Sequence, residues 1–389
     1  MSLTFSSAAR SDVGLVRENN EDTGCAGPTL LAVADGMGGH AAGEVASSVV
    51  MYALREHSED HTPEAITQAV ERAQGALQAM SLVDPDLDGM GTTLVALAVG
   101  PQGVSLAHIG DSRIYRLRDG CLDQITTDHT HVQRLVEAGR LTSAQARHHP
   151  YRSVILRSID DTHADLPDVN LTEQLADGDR VLLCSDGLSD YLTDAQLAGI
   201  LSHGSPAVCA EALVTAALQA GTRDNVTVVV ADARDADSPA EPAAPRAEGT
   251  EGSDVVTVGA RVLDAPLSAA ARAVLAETFP ALASALTSGT DPETHGATPE
   301  AAAGQEPAAP QEATDRGGDE GSEVPAAARQ AVRSGAAPRG REESRAAGFG
   351  AEALSAGNNG VRRADLGWIA FVALSFVATT ATVWFTAGG

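Results

Sequence analysis

The 389-residue chain contains no lysine, so its 26 basic residues are all arginine. A lysine nucleophile or Schiff base is therefore excluded. Cysteine is nearly as scarce: Cys25, Cys121, Cys184 and Cys209 show no paired metal-binding spacing and no disulfide framework. Reduced thiols are the simple reading, with Cys184 packed inside an apolar strand. Positive charge is short overall. A net charge of −27 and a pI of about 4.6 exclude nucleic acid as a natural partner. The N-terminus also lacks the apolar segment of a signal peptide.

What is present is aspartate at strand ends. The apolar run Leu30 to Ala34 stops at Asp35, followed by Gly36-Met37-Gly38-Gly39-His40 and a helical pattern. Gly103 to Ile109 reads as a strand ending at Gly110-Asp111-Ser112-Arg113, which turns into Ile114 to Arg118. Arg180 to Cys184 ends at Ser185-Asp186-Gly187, while Asp224-Asn225 precedes the run Val226 to Ala231. The runs are short and rich in Val, Leu and Ala, as buried strands are.

Asp35, Asp111 and Asp186 follow their strands and Asp224 precedes its own. In antiparallel neighbours the end of one strand lies beside the start of the next, so one sheet edge can gather all four carboxylates. Converging carboxylates suit hard divalent cations such as Mg²⁺ or Mn²⁺. Four independent turns, each carrying Asp, would use the same letters. Arg17, near Asn20-Glu21-Asp22, offers a planar fork of donors for a phosphate, or a surface ion pair.

Six segments together resemble the metal-dependent protein phosphatase family, the bacterial PP2C-like Ser/Thr phosphatases. They are Ser11-Asp12-Val13-Gly14-Leu15-Val16-Arg17-Glu18-Asn19-Asn20-Glu21-Asp22, Asp35-Gly36-Met37-Gly38-Gly39-His40, Gly91-Thr92-Thr93, Gly110-Asp111-Ser112-Arg113, Ser185-Asp186-Gly187-Leu188 and Asp224-Asn225. They occur in the family's order over roughly residues 5–232.

The resemblance implies an αββα sandwich, two antiparallel sheets flanked by helices, over residues 1–235. It implies two Mn²⁺ or Mg²⁺ ions, with Asp35 bridging, the Gly36 carbonyl on one ion, and Asp186 and Asp224 completing the other. Asp22 and Glu21 act through water, Asp111 joins Asp186 at a third ion, and Arg17 grips the phosphate. A hydroxide bridging the metals then attacks the phosphoserine or phosphothreonine monoester. The leaving oxygen needs a proton. Family relatives of eukaryotic type carry His directly after the Asp-Gly, where this chain has Met37; His40 is the nearest candidate acid. Residues 128–161 resemble the family's flap, with Ser153 where Asn is often found; surface roles are expected for His129, His131, His148 and His149. A catalytic domain acting as a monomer on phosphorylated proteins, Ser/Thr kinases among them, is the implied partner pattern. Two alternatives stay open: a non-catalytic module that binds phosphorylated partners, and another metal-dependent phosphoester hydrolase.

Helical patterns over 43–57, 63–82, 194–202 and 207–220 separate the strand groups. After residue 235 the composition shifts to Ala, Pro, Gly and charge, so residues 236–361 read as a disordered linker. One island interrupts it. Val255 to Leu263 is apolar, and Ala271, Val274, Leu275, Phe279 and Leu282 recur at helical spacing within 266–286, a helix that docks a partner, packs on the catalytic domain, or is only marginal local structure. Finally, residues 366–386 form an uncharged span of 21 residues, about 31 Å as a helix. Arg362 and Arg363 precede it, and the chain's 2 Trp, Trp368 and Trp384, sit near its ends. This is expected to be a single C-terminal transmembrane anchor, holding the catalytic domain on the cytoplasmic side of the cell membrane.

Overall fold

The structure, a computed structural model, describes residues 3–38, 42–56, 60–172, 174–236, 255–261 and 265–282. The chain runs β1 (Leu3–Asp12), β2 (Asp22–Ala26), β3 (Leu30–Met37), α1 (Ala42–Glu56), α2 (Pro63–Val83), β4 (Gly91–Thr92), β5 (Leu94–Gly100), β6 (Gly103–Ile109), β7 (Arg113–Arg118) and β8 (Cys121–Gln124). It continues through α3 (His131–Glu137), α4 (Ser143–Arg147), β9 (Ile159–Asp160), β10 (Asp168–Thr172), β11 (Arg180–Cys184), α5 (Asp186–Ser189), α6 (Asp194–Leu201), α7 (Pro206–Ala220), β12 (Val226–Asp235), β13 (Val256–Gly259) and α8 (Ala269–Thr278).

Local chemistry sets the helix ends. Thr62 caps α2 by accepting the Ala65 N–H, with Pro63 in the first turn where no donor is missed. Thr193 and Gln196 form a reciprocal capping box on α6. Gly221 ends α7 in the left-handed conformation (φ 87°).

Two antiparallel sheets stack face to face. One has the order β10-β6-β5-β3-β2-β13, with β4 and β9 as a side strip; the other has β1-β12-β11-β7-β8. The central strands lack alternation because both of their faces are buried. On β3, Leu31 and Val33 enter the core between the sheets, while Leu30, Ala32 and Ala34 face the helices. On β11, Val181 and Leu183 point between the sheets, and Leu182 and Cys184 meet the α5–α7 layer. The expected αββα architecture is observed, and the four expected helices correspond to α1, α2, α6 and α7.

The boundary expected at residue 235 falls short of the packed body. β13 adds to the edge of the first sheet beside β2. Ala271, Leu275, Phe279 and Leu282 are buried with α1 and α2 in one core. Of the readings open for this island, packing on the catalytic domain is the one observed. The helix stops at Thr278, with Phe279 as its cap, because the residue before Pro280 is pushed out of helical geometry. Residues 283–361 and the apolar span 366–386 lie outside the described residues. Among the described residues, no helix is long and apolar enough to cross a membrane.

Phe279 is fully buried, stacks edge-on with Tyr52 at 5.6 Å between centroids and lies 4.8 Å beneath the Arg72 guanidinium carbon. Phe279→Ala is expected to destabilise the protein by about 3 kcal/mol, read from denaturant unfolding of the full chain. An unchanged midpoint would show that the island does not belong to the core.

Candidate active site

Five of the sequence-selected aspartates meet at one end of the sandwich. Asp22 and Asp35 are direct cross-strand partners on β2 and β3. Period-two parity puts Asp35 on the same side as Leu31 and Val33, between the sheets. Asp111 follows β6 at the turn that leads into β7. Asp186 follows β11 and Asp224 precedes β12, and these two strands are antiparallel neighbours. The directional argument therefore holds, with one correction: the acids come from two sheets, not one edge. Asp22 and Asp35 lie on strands of the first sheet, Asp186 and Asp224 flank strands of the second, and Asp111 sits in the turn that passes from one sheet to the other.

Backbone clamps hold them in place. The Asp35 N–H donates to Thr93 Oγ1 at 3.0 Å, and its carbonyl accepts from the Thr92 hydroxyl and the Thr93 N–H, both at 2.9 Å. Gly36 is a close-approach position: a Cβ there would sit 2.2 Å from the Gly43 carbonyl and 2.4 Å from that of Glu21. Asp22 accepts from Ser185 Oγ at 2.7 Å on one oxygen, while its Oδ1 is buried with no hydrogen-bond partner. Asn225, unassigned beyond its motif in the sequence, takes the Glu21 N–H on Oδ1 at 2.8 Å. Its amide donates to the Val13 and Asn19 carbonyls at 3.0 and 2.9 Å. That side chain ties β12 to the loop that carries Arg17.

Arg17 lies at the rim. Its Nη2 is 2.9 Å from Asp224 Oδ1 and its Nη1 is 3.5 Å from Glu21 Oε2. Its side chain is 47 % exposed, so the fork remains reachable from solvent.

The acids repel one another. Burial, then the charges of Asp22, Asp186, Asp111 and Asp224, hold the Asp35 carboxyl well above its usual range. Asp186 is raised well above the carboxylate range by burial and then by Asp111 and Asp224. Burial lifts Asp22 to about 6 despite the Ser185 hydrogen bond. Glu21 is raised to about 7 by burial against the pull of Arg17. Asp111 rises to about 7 through burial and the charge of Asp128.

Among the described residues, no three His, Cys, Asp or Glu side chains are drawn onto a single point. The donor set nonetheless fits hard divalent cations. It is all oxygen, it contains a buried carboxylate oxygen without a partner, and its charges raise one another's pKa in the way a cation would reverse.

The flap is latched to the same end. Arg113 grips Asp128 with Nε at 2.9 Å and Nη2 at 2.6 Å. Arg147 donates to the Ser189 and Leu192 carbonyls at 2.8 and 2.7 Å, and Arg152 pairs with Asp190 at 3.1 Å. These contacts fasten the flap to the turn that carries Asp186. The cleft between them is lined by Asp111, Asp186, Asp128, Arg113, Arg147 and Arg152. His40 lies outside the described residues.

His129 departs from the expected surface role. Its Nδ1 accepts the Gly110 N–H at 3.2 Å, and its Nε2 lies between Arg157 Nη1 at 3.2 Å and Asp168 Oδ2 at 3.3 Å. It also stacks on His108 at 4.4 Å between centroids. Its chemistry is structural, bracing the Asp111 turn from the flap side.

The protein phosphatase 2C model matches residues 21–220, and the chain belongs to that family. It is similar to the serine/threonine protein phosphatase PstP of Mycobacterium tuberculosis: 50% identical over 242 residues, covering 61% of this chain and 46% of that protein. The chain thus spans about half the length of that curated relative. The protein phosphatase PhpP of Streptococcus pneumoniae is 35% identical over 240 residues, covering 59% of this chain and 97% of PhpP. A crystal structure of the PstP catalytic domain in complex with two manganese ions superposes with a TM-score of 0.56 at 47% identity, covering 60% of this chain and all of that one.

His108 provides a pH signature for the flap contact. It is buried, its Nε2 has no hydrogen-bond partner, and burial followed by the neighbouring His129 pushes its pKa down to about 4. Asp128 and Asp168 act in the opposite direction. A folded pKa below the unfolded value of about 6.5 means that its contribution is complete above that pH and is lost as pH falls towards 4. Relative to a His108→Gln variant, the wild type should lose roughly 3 kcal/mol of unfolding free energy between those limits. A pH-independent difference would refute the neutral buried imidazole.

Proposed function

We propose that the protein is a metal-dependent protein serine/threonine phosphatase that hydrolyses phosphoserine and phosphothreonine in phosphorylated proteins. The observation behind this is the convergence of Asp22, Asp35, Asp111, Asp186 and Asp224 at one end of the sandwich, with Arg17 at their rim. Family membership and the likeness to named Ser/Thr phosphatases support it.

Asp35, the Gly36 carbonyl, Asp186 and Asp224 would hold two divalent ions, with Glu21 and Asp22 supporting them through water. Asp111 together with Asp186 would hold a third. When bound, these ions supply positive charge for the phosphoryl group and lower the pKa of the attacking water. Arg17 presents two parallel donors to the phosphate oxygens and aligns the ester with the acid cluster. The Thr92–Thr93 clamp and Asn225 keep the acids and the Arg17 loop in register before substrate arrives, so little reorganisation is left for the reaction. His40 is the proton donor we assign to the seryl or threonyl leaving oxygen.

Residues 366–386 would anchor the chain in the cell membrane as a single span, with the catalytic domain in the cytoplasm. The Ala/Pro/Gly-rich stretch between would set its reach towards membrane-bound Ser/Thr kinases and their substrates.

A phosphothreonine peptide should be hydrolysed with Mn²⁺ and not with EDTA. Asp35→Asn should lower turnover at least about 100-fold while preserving the fold, because it removes a charge that its neighbours repel. Metal binding without turnover in the wild type would replace the enzyme by a module that binds phosphorylated partners. For the anchor, the full chain should sediment with membranes and a chain ending at Gly360 should not. Soluble behaviour of both would remove it.

A further inference from the structure

We propose that residues 255–261 and 265–282 serve as a positioning strap for the active site, holding Asp22 in place through that residue's own carbonyl. The family model ends at residue 220, so this segment lies beyond that match. It nevertheless reaches the acid cluster. β13 pairs with β2 in the register Val256↔Ala26 to Gly259↔Thr23, which converts an edge strand into an internal one. The Ala260 N–H then donates to the Asp22 carbonyl at 2.6 Å, and Thr23 Oγ1 returns a bond to the Ala260 carbonyl at 3.2 Å. Asp22 is thereby held at two points: its carbonyl by the strap and its carboxylate by Ser185.

The contact is shaped for glycine. Gly259 has φ 89°, and a Cβ there would lie 2.1 Å from the Asp22 carbonyl oxygen and 3.2 Å from Ser11 Oγ. Side chains are disfavoured at that φ and excluded at that distance. The rest of the segment fixes the strand from outside. Arg55, in the last turn of α1, donates to Thr257 Oγ1 at 3.0 Å, and the Ser268 N–H donates to Asp84 Oδ2 at 3.2 Å beyond the end of α2. Leu275 and Phe279 seal α8 onto the α1–α2 core. Outer groups of a metal site, such as a carboxylate that acts through bound water, tune affinity by their orientation, and loss of one typically costs 10–100-fold. The strap acts on Asp22 in this way through backbone, so it is a positioning element and touches no substrate.

This inference rests on the metal-dependent reading of the site, and one of its readouts does not. In the full chain, Gly259→Val is expected to raise hydrogen exchange at residues 22–26 and to weaken Mn²⁺ binding by about tenfold in calorimetry. Its phosphopeptide turnover should recover as Mn²⁺ is raised. Ala260→Pro, which deletes the donor to Asp22 and sets the ring Cδ against that carbonyl, should act in the same direction and decides the matter if Gly259→Val does not fold. Leu213→Ala, in the α5–α7 layer away from the strap, should lower thermal stability with little change in Mn²⁺ affinity. Unchanged exchange or unchanged Mn²⁺ affinity in the strap variants would overturn the proposal. So would an equal affinity loss in Leu213→Ala, since the effect would then be global stability. If no form hydrolyses the peptide, the phosphatase reading fails, while exchange and calorimetry still judge the strap.

Discussion

Like-charge repulsion among carboxylates at the mouth of the sandwich is the constraint on which the rest of the structure depends. Two unit charges 4 Å apart cost about 4 kcal/mol at an effective dielectric of 20. Here Asp35 feels Asp22, Asp186, Asp111 and Asp224 at once. Side chains free to rotate would move apart. The fold prevents this by fastening the peptide groups that bear them. Asp35 is held by Thr92 and Thr93, Asp22 by Ser185, and Glu21 by Asn225. Gly187 serves the same end, because a Cβ there would fall 1.9 Å from the Asn225 carbonyl. The cluster stores unfavourable electrostatic energy that divalent cations would reverse, and the site is therefore preorganised for charge of the opposite sign.

Much of this was legible in the sequence, for identifiable reasons. The runs Leu30–Ala34 and Arg180–Cys184 announce strands because both faces are buried, and each ends in Asp. The same property hides which sheet each run joins: a strand apolar on both faces carries no alternation to mark its inner side. That is why a single sheet edge was expected where two sheets contribute. The clamping residues were also hard to see. Thr93, Ser185 and Asn225 are polar residues with no periodicity, and their role exists only once distant strands meet.

The apolar island after residue 235 was only half legible, for a different reason. Averaged over 236–361, Ala, Pro, Gly and charge dominate and predict disorder. Within that average, Ala271, Leu275, Phe279 and Leu282 recur every three or four residues, one helix face that reaches the core of α1 and α2. Short apolar islands in such a background need a receiving surface to be stable, and the sequence does not display that surface. The flap histidines show the same limit. His129 reads as one of several surface imidazoles until the fold places Gly110, Asp168 and His108 around it.

The strap and the flap reach the acid cluster by different means. The flap is held through the long side chains of Arg113, Arg147 and Arg152 and by one backbone bond, from the His129 N–H to the Gly110 carbonyl at 2.8 Å. Strap contacts are backbone to backbone at a glycine, with no slack. Pairing with β13 makes the strand that bears Asp22 internal to the first sheet. Asp22 is tied to both strap and flap: its carbonyl accepts from Ala260 of the strap, and its carboxylate accepts from Ser185, one residue before the Asp186 turn. The flap grips that same turn through Asp190 and the Ser189 carbonyl. Within one cluster, Asp186 therefore answers to the flap alone, while Asp22 couples the strap to the turn that the flap holds.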